Sequence, residues 1–257
     1  MFVMKHYFKN GYKVTVEDAK KFYLWKLKTT KSTDYHKNIC YALKHYFSMK
    51  GIELNIKAPK LGEKRREHLS YEEATQFLDS ITDLRDKTIV MLQLQTGLRP
   101  AEAINIELED LDLKNRIIRI KHTKTKMDRV VYLGPELTKM LKRYLQKRKE
   151  LIERREFFGE KETKSKKLFL SKRGDKGLSL HQYQKNLIFY SKKSGVKATA
   201  YMFRHTFATL FIRNHGDIKA LKEIMGHKQI ETTERYIHED EERIREQALQ
   251  YTPEFRV

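Results

Sequence analysis

The sequence predicts a mainly α-helical protein with one small antiparallel β-sheet, an α+β domain preceded by a small all-α unit. Most of the chain divides into segments whose apolar residues recur at helical spacing between capping residues and glycines. Two stretches alternate instead, RIIRIK at 116–121 and RVVYL at 129–133, and the polar loop 122–128 joins them as a hairpin. Residues 58–68 hold a proline, a glycine and a charge run without an apolar period, which is linker composition. The expected organisation is therefore an N-terminal helical unit over 1–57, a linker over 58–68 and a larger domain over 69–257.

Residues 1–14 are basic and aromatic and predict no element. Thr15 and Asp18 have capping-box spacing for a helix to about 27. After a polar break, Tyr35, Ile39, Ala42, Leu43, Tyr46 and Phe47 follow helical spacing up to Gly51, and Cys40 falls in this apolar pattern as a core residue. In the larger unit, Ser70 and Glu73 make a capping box for a helix through 80. A strongly apolar helix over 85–95 closes at Gly97, and Pro100 suits the first turn of a helix over 101–107. Beyond the hairpin, Pro135 opens a long helix to about 156, with Leu137, Leu141, Tyr144, Leu145 and Ile152 as its stripe and Lys and Arg dense on the other face. Residues 167–170 suggest a short strand, and 180–191 a helix ended near Gly195.

The last third carries the densest polar pattern. Residues 203–214 read as a helix with Phe207, Leu210 and Phe211 at helical spacing and Gly216 just past its end. Asp217 caps a helix over 218–225 that stops at Gly226, which sets His227 on a tight post-helix turn. Thr232 or Thr233 caps a short helix carrying Tyr236. The acidic run 239–242 and a helical pattern to about 250 follow.

Composition narrows the partners. Among 257 residues, Lys and Arg number 54 against 34 Asp and Glu, a formal charge of +20 that suits a polyanion, nucleic acid first. A solubilising surface is the plainer reading of the same excess. The hydrophobic fraction of 39% suffices for a core. A single cysteine excludes an intrachain disulfide and a cysteine-built metal site. Lys5 and Lys9 break the apolar run after Met1, so no signal peptide is expected, and no run reaches membrane-spanning length. The expected location is the cytoplasm. There is no Gly-rich nucleotide loop and no carboxylate metal cluster in the sequence, so no cofactor is expected.

Thr96-Gly97-Leu98-Arg99-Pro100-Ala101-Glu102 pins an arginine between a helix that ends and a helix that begins. At such a rigid junction Arg99 can present its planar fork to phosphate oxygens while Glu102, three residues on, holds it from behind. Taken alone, the pair reads first as a structural Arg–Glu contact.

The order Thr-Gly-Leu-Arg-x-x-Glu, a hairpin lysine, Arg-His-Thr-Phe-Ala-Thr, Gly-His and Thr-x-x-x-Tyr-x-His resembles the tyrosine recombinase (phage integrase) family over about residues 68–240. The resemblance implies Arg99 and Arg204 as catalytic arginines, Glu102 as a supporting acid and Tyr236 as the nucleophile. Lys124 matches the hairpin lysine, with Lys126 its rival, and His227 the position held by histidine or tryptophan. One position departs: the family usually has histidine three residues before the second arginine, and here stands Tyr201. A tyrosine hydroxyl donates a hydrogen bond to phosphate but carries no positive charge.

The residue types fit the implied chemistry. Negative charge grows on the equatorial oxygens of a phosphodiester under displacement, and two arginines stabilise it. A tyrosine with an ordinary pKa of about 10 needs positive neighbours, which Arg99, Arg204 and His227 supply. A flexible lysine can protonate the departing 5′ oxygen. The resemblance further implies a 3′-phosphotyrosine intermediate, double-stranded DNA as partner, an N-terminal DNA-binding domain, and four protomers exchanging strands through a Holliday junction. The acidic tail would dock on a neighbouring protomer, or fold back on its own domain. The rival functions are type IB topoisomerase-like relaxation and a DNA-binding protein that does not cut.

Overall fold

A computed structural model describes residues 2–59, 67–121, 128–159, 165–173 and 176–226. The chain divides into two compact units, Met1–Arg65 and Arg66–Val257.

The first unit holds α1 (Phe2–Lys9), α2 (Val16–Thr29) and α3 (Thr33–Ser48). Its core is Tyr7, Phe22, Ile39, Cys40, Leu43 and Phe47. Helix α1 has no counterpart in the sequence pattern, because Tyr7 is its one buried residue. The Tyr7 hydroxyl donates to the Lys13 carbonyl at 2.5 Å, and burial pushes its pKa up to about 12. The expected capping box at α2 forms by half. Thr15 Oγ1 accepts from the Asp18 N–H at 3.2 Å, but the Asp18 carboxylate turns back to the Lys13 N–H at 2.8 Å.

The second unit begins with α4 (Tyr71–Ser80), α5 (Leu84–Thr96) and α6 (Pro100–Asn105). Both halves of the Ser70–Glu73 box form, at 3.1 and 2.8 Å. Helix α5 is the central rod. Ile89, Val90 and Leu92 are fully buried, and it packs against the two later helices α7 (Pro135–Phe157) and α9 (Ala200–Arg213). Its buried residues Arg85, Asp86, Thr88, Gln93 and Thr96 all make side-chain hydrogen bonds. Arg85 pairs with Asp86 at 2.8 Å, and Asp86 also accepts from Asn186 at 2.8 Å, which ties the start of α5 to α8 (Leu180–Ser194). Burial pushes the Asp86 carboxyl pKa up against the pull of Arg85.

A 3-10 turn (Leu108–Asp110) leads into β1 (Leu111–Asp112), β2 (Ile117–Ile120) and β3 (Arg129–Tyr132), an antiparallel sheet in the order β1-β2-β3. The register pairs Ile118 with Val131 and Ile120 with Arg129. The hairpin is as the alternation predicts; β1, two residues long, is too short to leave a pattern. Residues 167–170 do not form a strand of their own. Lys167 and Leu170 make isolated bridges to Glu107 and Gly177.

Helix α9 starts at Ala200 on a Thr199 cap, earlier than the apolar spacing suggests, so Tyr201 lies in its first turn. Met202, Phe203, Thr206, Ala208, Thr209 and Ile212 form its buried side, while Phe207, Leu210 and Phe211 are only half-buried. Helix α10 (Ile218–Met225) runs from its Asp217 cap, whose carboxylate accepts from the Ala220 N–H at 2.8 Å, to a left-handed Gly226. Among the described residues no helix is long and apolar enough to cross a membrane.

Candidate active site

The site forms where α5, α6, α9, α10 and β3 meet. Gly97 ends α5 at φ +63°, where L side chains are rare, and a Cβ there would lie 2.4 Å from Phe207 Cδ1 on α9. Leu98 is fully buried and anchors the next turn. Gln93, also fully buried, donates to the Leu98 carbonyl at 3.1 Å and the Ala200 carbonyl at 3.2 Å, and accepts from the Tyr183 hydroxyl at 2.5 Å. One side chain thereby fixes the loop before Arg99 to the start of the helix that carries Arg204.

Arg99 is the N-cap residue of α6. Glu102 accepts from its backbone N–H at 2.8 Å and from Nη1 at 2.9 Å. The Arg99 Nη2 donates to the Gly226 carbonyl at 3.2 Å, and the side chain stays 38% exposed.

Arg204 is buried on α9 at 4% exposure. Its Nη1 donates to the Gly97 carbonyl and its Nη2 to the Met225 carbonyl at 2.8 Å. Both acceptors end helices, where carbonyls lack intrahelical partners and the helix dipole favours a cation.

A third guanidinium belongs to this cluster and was not singled out by sequence. Arg129 opens β3. Its Nη2 and Nη1 donate to Glu102 at 2.7 and 3.2 Å, and its Nε to the Ile224 carbonyl at 2.9 Å. Arg129, Arg204 and Arg99 thus take the last three carbonyls of the α10 segment in turn: Ile224, Met225 and Gly226. The signal for Arg129 was present in the alternation of RVVYL. Val131 and Leu133 are buried at 1% and 4% exposure, so the period of two turns Arg129 inward as well.

Burial raises the pKa of Glu102, but the bonds and charge of Arg129 and the bonds from Arg99 outweigh it and hold the carboxyl down at about 2. Among the described residues, three guanidiniums meet one ionised carboxylate here, a cationic set suited to an anion such as a phosphodiester.

Of the sequence-predicted residues, Arg99 and Arg204 converge on the C-terminal turn of α10. Tyr201 lies one helical turn before Arg204 and is 57% exposed. Lys124, His227 and Tyr236, together with Lys126, lie outside the described residues. By chain position, Lys124 falls between β2 and β3, and His227 directly follows Gly226.

The phage integrase family profile matches residues 66–243. The chain belongs to this family, the tyrosine recombinases. It is similar to tyrosine recombinase XerA of Pyrococcus horikoshii, 28% identical over 250 residues that cover 95% of this chain and 83% of the relative. It is 31% identical over 225 residues to tyrosine recombinase XerD of Staphylococcus aureus, covering 83% and 72% of the two chains. Among solved structures, the XerH site-specific recombinase bound to its difH substrate in a pre-cleavage complex superposes with a TM-score of 0.71 at 26% identity, covering 93% of this chain and 71% of that one.

Proposed function

We propose that this protein is a site-specific DNA recombinase that cuts and rejoins duplex DNA through a 3′-phosphotyrosine. The observation that carries the reading is the convergence of Arg99 and Arg204 on the carbonyls of Met225 and Gly226, next in the chain to His227. The family and the DNA-bound XerH complex support it.

In this mechanism the Tyr236 oxygen attacks the scissile phosphorus while Arg99 and Arg204 stabilise the charge on the non-bridging oxygens. His227 adds to the positive field, and the Tyr201 hydroxyl donates one hydrogen bond to phosphate. The departing 5′ oxygen takes a proton from Lys124 and leaves as a hydroxyl. The tyrosyl ester keeps the energy of the broken bond, so reversal by a 5′-hydroxyl needs no ATP. The charge excess favours a DNA backbone partner, and the N-terminal unit contributes to binding it. Four protomers synapse two sites in the cytoplasm and exchange strands through a Holliday junction.

The test is trapping on a nicked suicide duplex, followed by identification of the modified tyrosine. Tyr236→Phe is expected to abolish the covalent adduct while DNA binding persists; an adduct that survives moves the nucleophile elsewhere. A wild-type protein that binds the duplex without forming any adduct is a binding protein. A two-site recombination assay then separates recombination from relaxation alone.

A further inference from the structure

We propose that Arg129 is a positioning residue for cleavage, one that occupies Glu102 so that Arg99 remains presented to the phosphate. The inference rests on the reading of Arg99 as a phosphate-binding arginine.

Glu102 has two oxygens and four donors. Oε1 accepts from Arg99 Nη1 at 2.9 Å and Arg129 Nη1 at 3.2 Å. Oε2 accepts from the Arg99 backbone N–H at 2.8 Å and Arg129 Nη2 at 2.7 Å. The two-oxygen pairing that a carboxylate offers a guanidinium is therefore taken by Arg129, and Glu102 holds the Arg99 side chain through Nη1 alone. The exposures agree with this division: the Arg129 side chain is 9% exposed and that of Arg99 38%.

Arg129 also joins two pieces of the site: it holds Glu102 on α6, and its Nε fixes the Ile224 carbonyl on α10. Its side chain lies across Gly226, where a Cβ would come within 3.1 Å of Nη1. Without Arg129, the carboxylate is open to the full fork of Arg99, and the end of α10 loses its tie to the sheet. Lysine keeps the charge but is a point donor that cannot span both oxygens and the Ile224 carbonyl together.

The experiment compares single-turnover cleavage of a nicked suicide duplex by the full-length wild type, Arg129→Ala and Arg129→Lys, with DNA binding and circular dichroism measured alongside. Covalent adduct formation is expected to slow by about 100-fold in Arg129→Ala, the size of loss that misplacement of a reacting group by about 1 Å produces. Arg129→Lys is expected to stay within about threefold of Arg129→Ala, with DNA binding retained in both. The rate of Arg129→Ala relative to wild type should recover as pH drops toward 4.5, because protonation of a Glu102 no longer held down by Arg129 releases the Arg99 fork it had captured. Full activity in Arg129→Lys overturns the proposal in favour of simple charge, and wild-type rates in Arg129→Ala overturn it outright. A loss in both variants with no change in the pH dependence of the ratio assigns Arg129 to folding alone and also overturns it. Should Arg129→Ala fail to fold, the lysine variant decides. Absence of adduct from the wild type strikes instead at the catalytic reading itself.

Discussion

Replacing Glu102 by glutamine removes a carboxylate that holds both Arg99 and Arg129, with almost no change in shape. In the folded protein this carboxyl is held at about 2 against an ordinary value of 4.5. At about 1.36 kcal/mol per unit the shift corresponds to about 3 kcal/mol, and solvent screening at a partly exposed site reduces it to about 2 kcal/mol. Because the folded pKa lies below the unfolded one, the contribution is fully present above pH 4.5 and is lost as pH falls through about 2. Glutamine also turns an amide N–H toward guanidinium donors, so the total loss at pH 7 is expected at about 2–4 kcal/mol. Urea unfolding of wild type and Glu102→Gln, followed by circular dichroism from pH 7 to pH 3, measures this. The stability gap should narrow by about 1.5–2 kcal/mol over that range, as the wild type gives up the pH-dependent part of its advantage. A gap of constant size from pH 7 to pH 3 would refute the assignment of that energy to the ionised carboxylate.

Other positions give further outcomes. Gly97→Ala should cost about 2–4 kcal/mol in urea unfolding, from a left-handed backbone and displacement of the Phe207 ring, and should slow cleavage because the Gly97 carbonyl holds Arg204. Lys124→Ala should slow cleavage of an ordinary strand but much less that of a 5′-thio strand, whose leaving group needs no proton; equal losses on both would remove Lys124 as the acid. Tyr201→Phe should slow single-turnover cleavage by about fivefold, the worth of one hydrogen bond, and an unchanged rate would mean that the hydroxyl does not touch the phosphate.

The elements that were legible in the chain are those with local causes. Ser70 and Glu73 cap α4 through bonds three residues apart. Asp217 caps α10, and Gly97 and Gly226 end α5 and α10, each by its own conformational preference. The Arg99–Glu102 contact was readable for the same reason, since one helical turn joins the two. The start of α9 is not legible in the chain because its apolar spacing continues through Phe207 and Phe211, while burial favours Met202 and Phe203 on another side. That choice is made by neighbours: Phe203 sits 5.4 Å from Phe77 on α4, between ring centroids.

By itself the sequence determined most of the helices and the caps that bound them, α1 and the start of α9 excepted, the hairpin, and the order of arginines, lysine, histidine and tyrosine that marks the family. Capping and periodicity act over a few residues, so they are written in neighbouring letters. Only the tertiary structure decided what those helix ends are for. Arg129 reaches Glu102 across 27 residues and Ile224 across 95, and Arg204 reaches Gly97 across 107. Contacts of that span depend on the packing of α5 against α9 and of β3 against α10. The packing brings Arg99 and Arg204, together with Arg129, which the sequence did not mark, to one helix terminus whose carbonyls lack intrahelical partners and orient them.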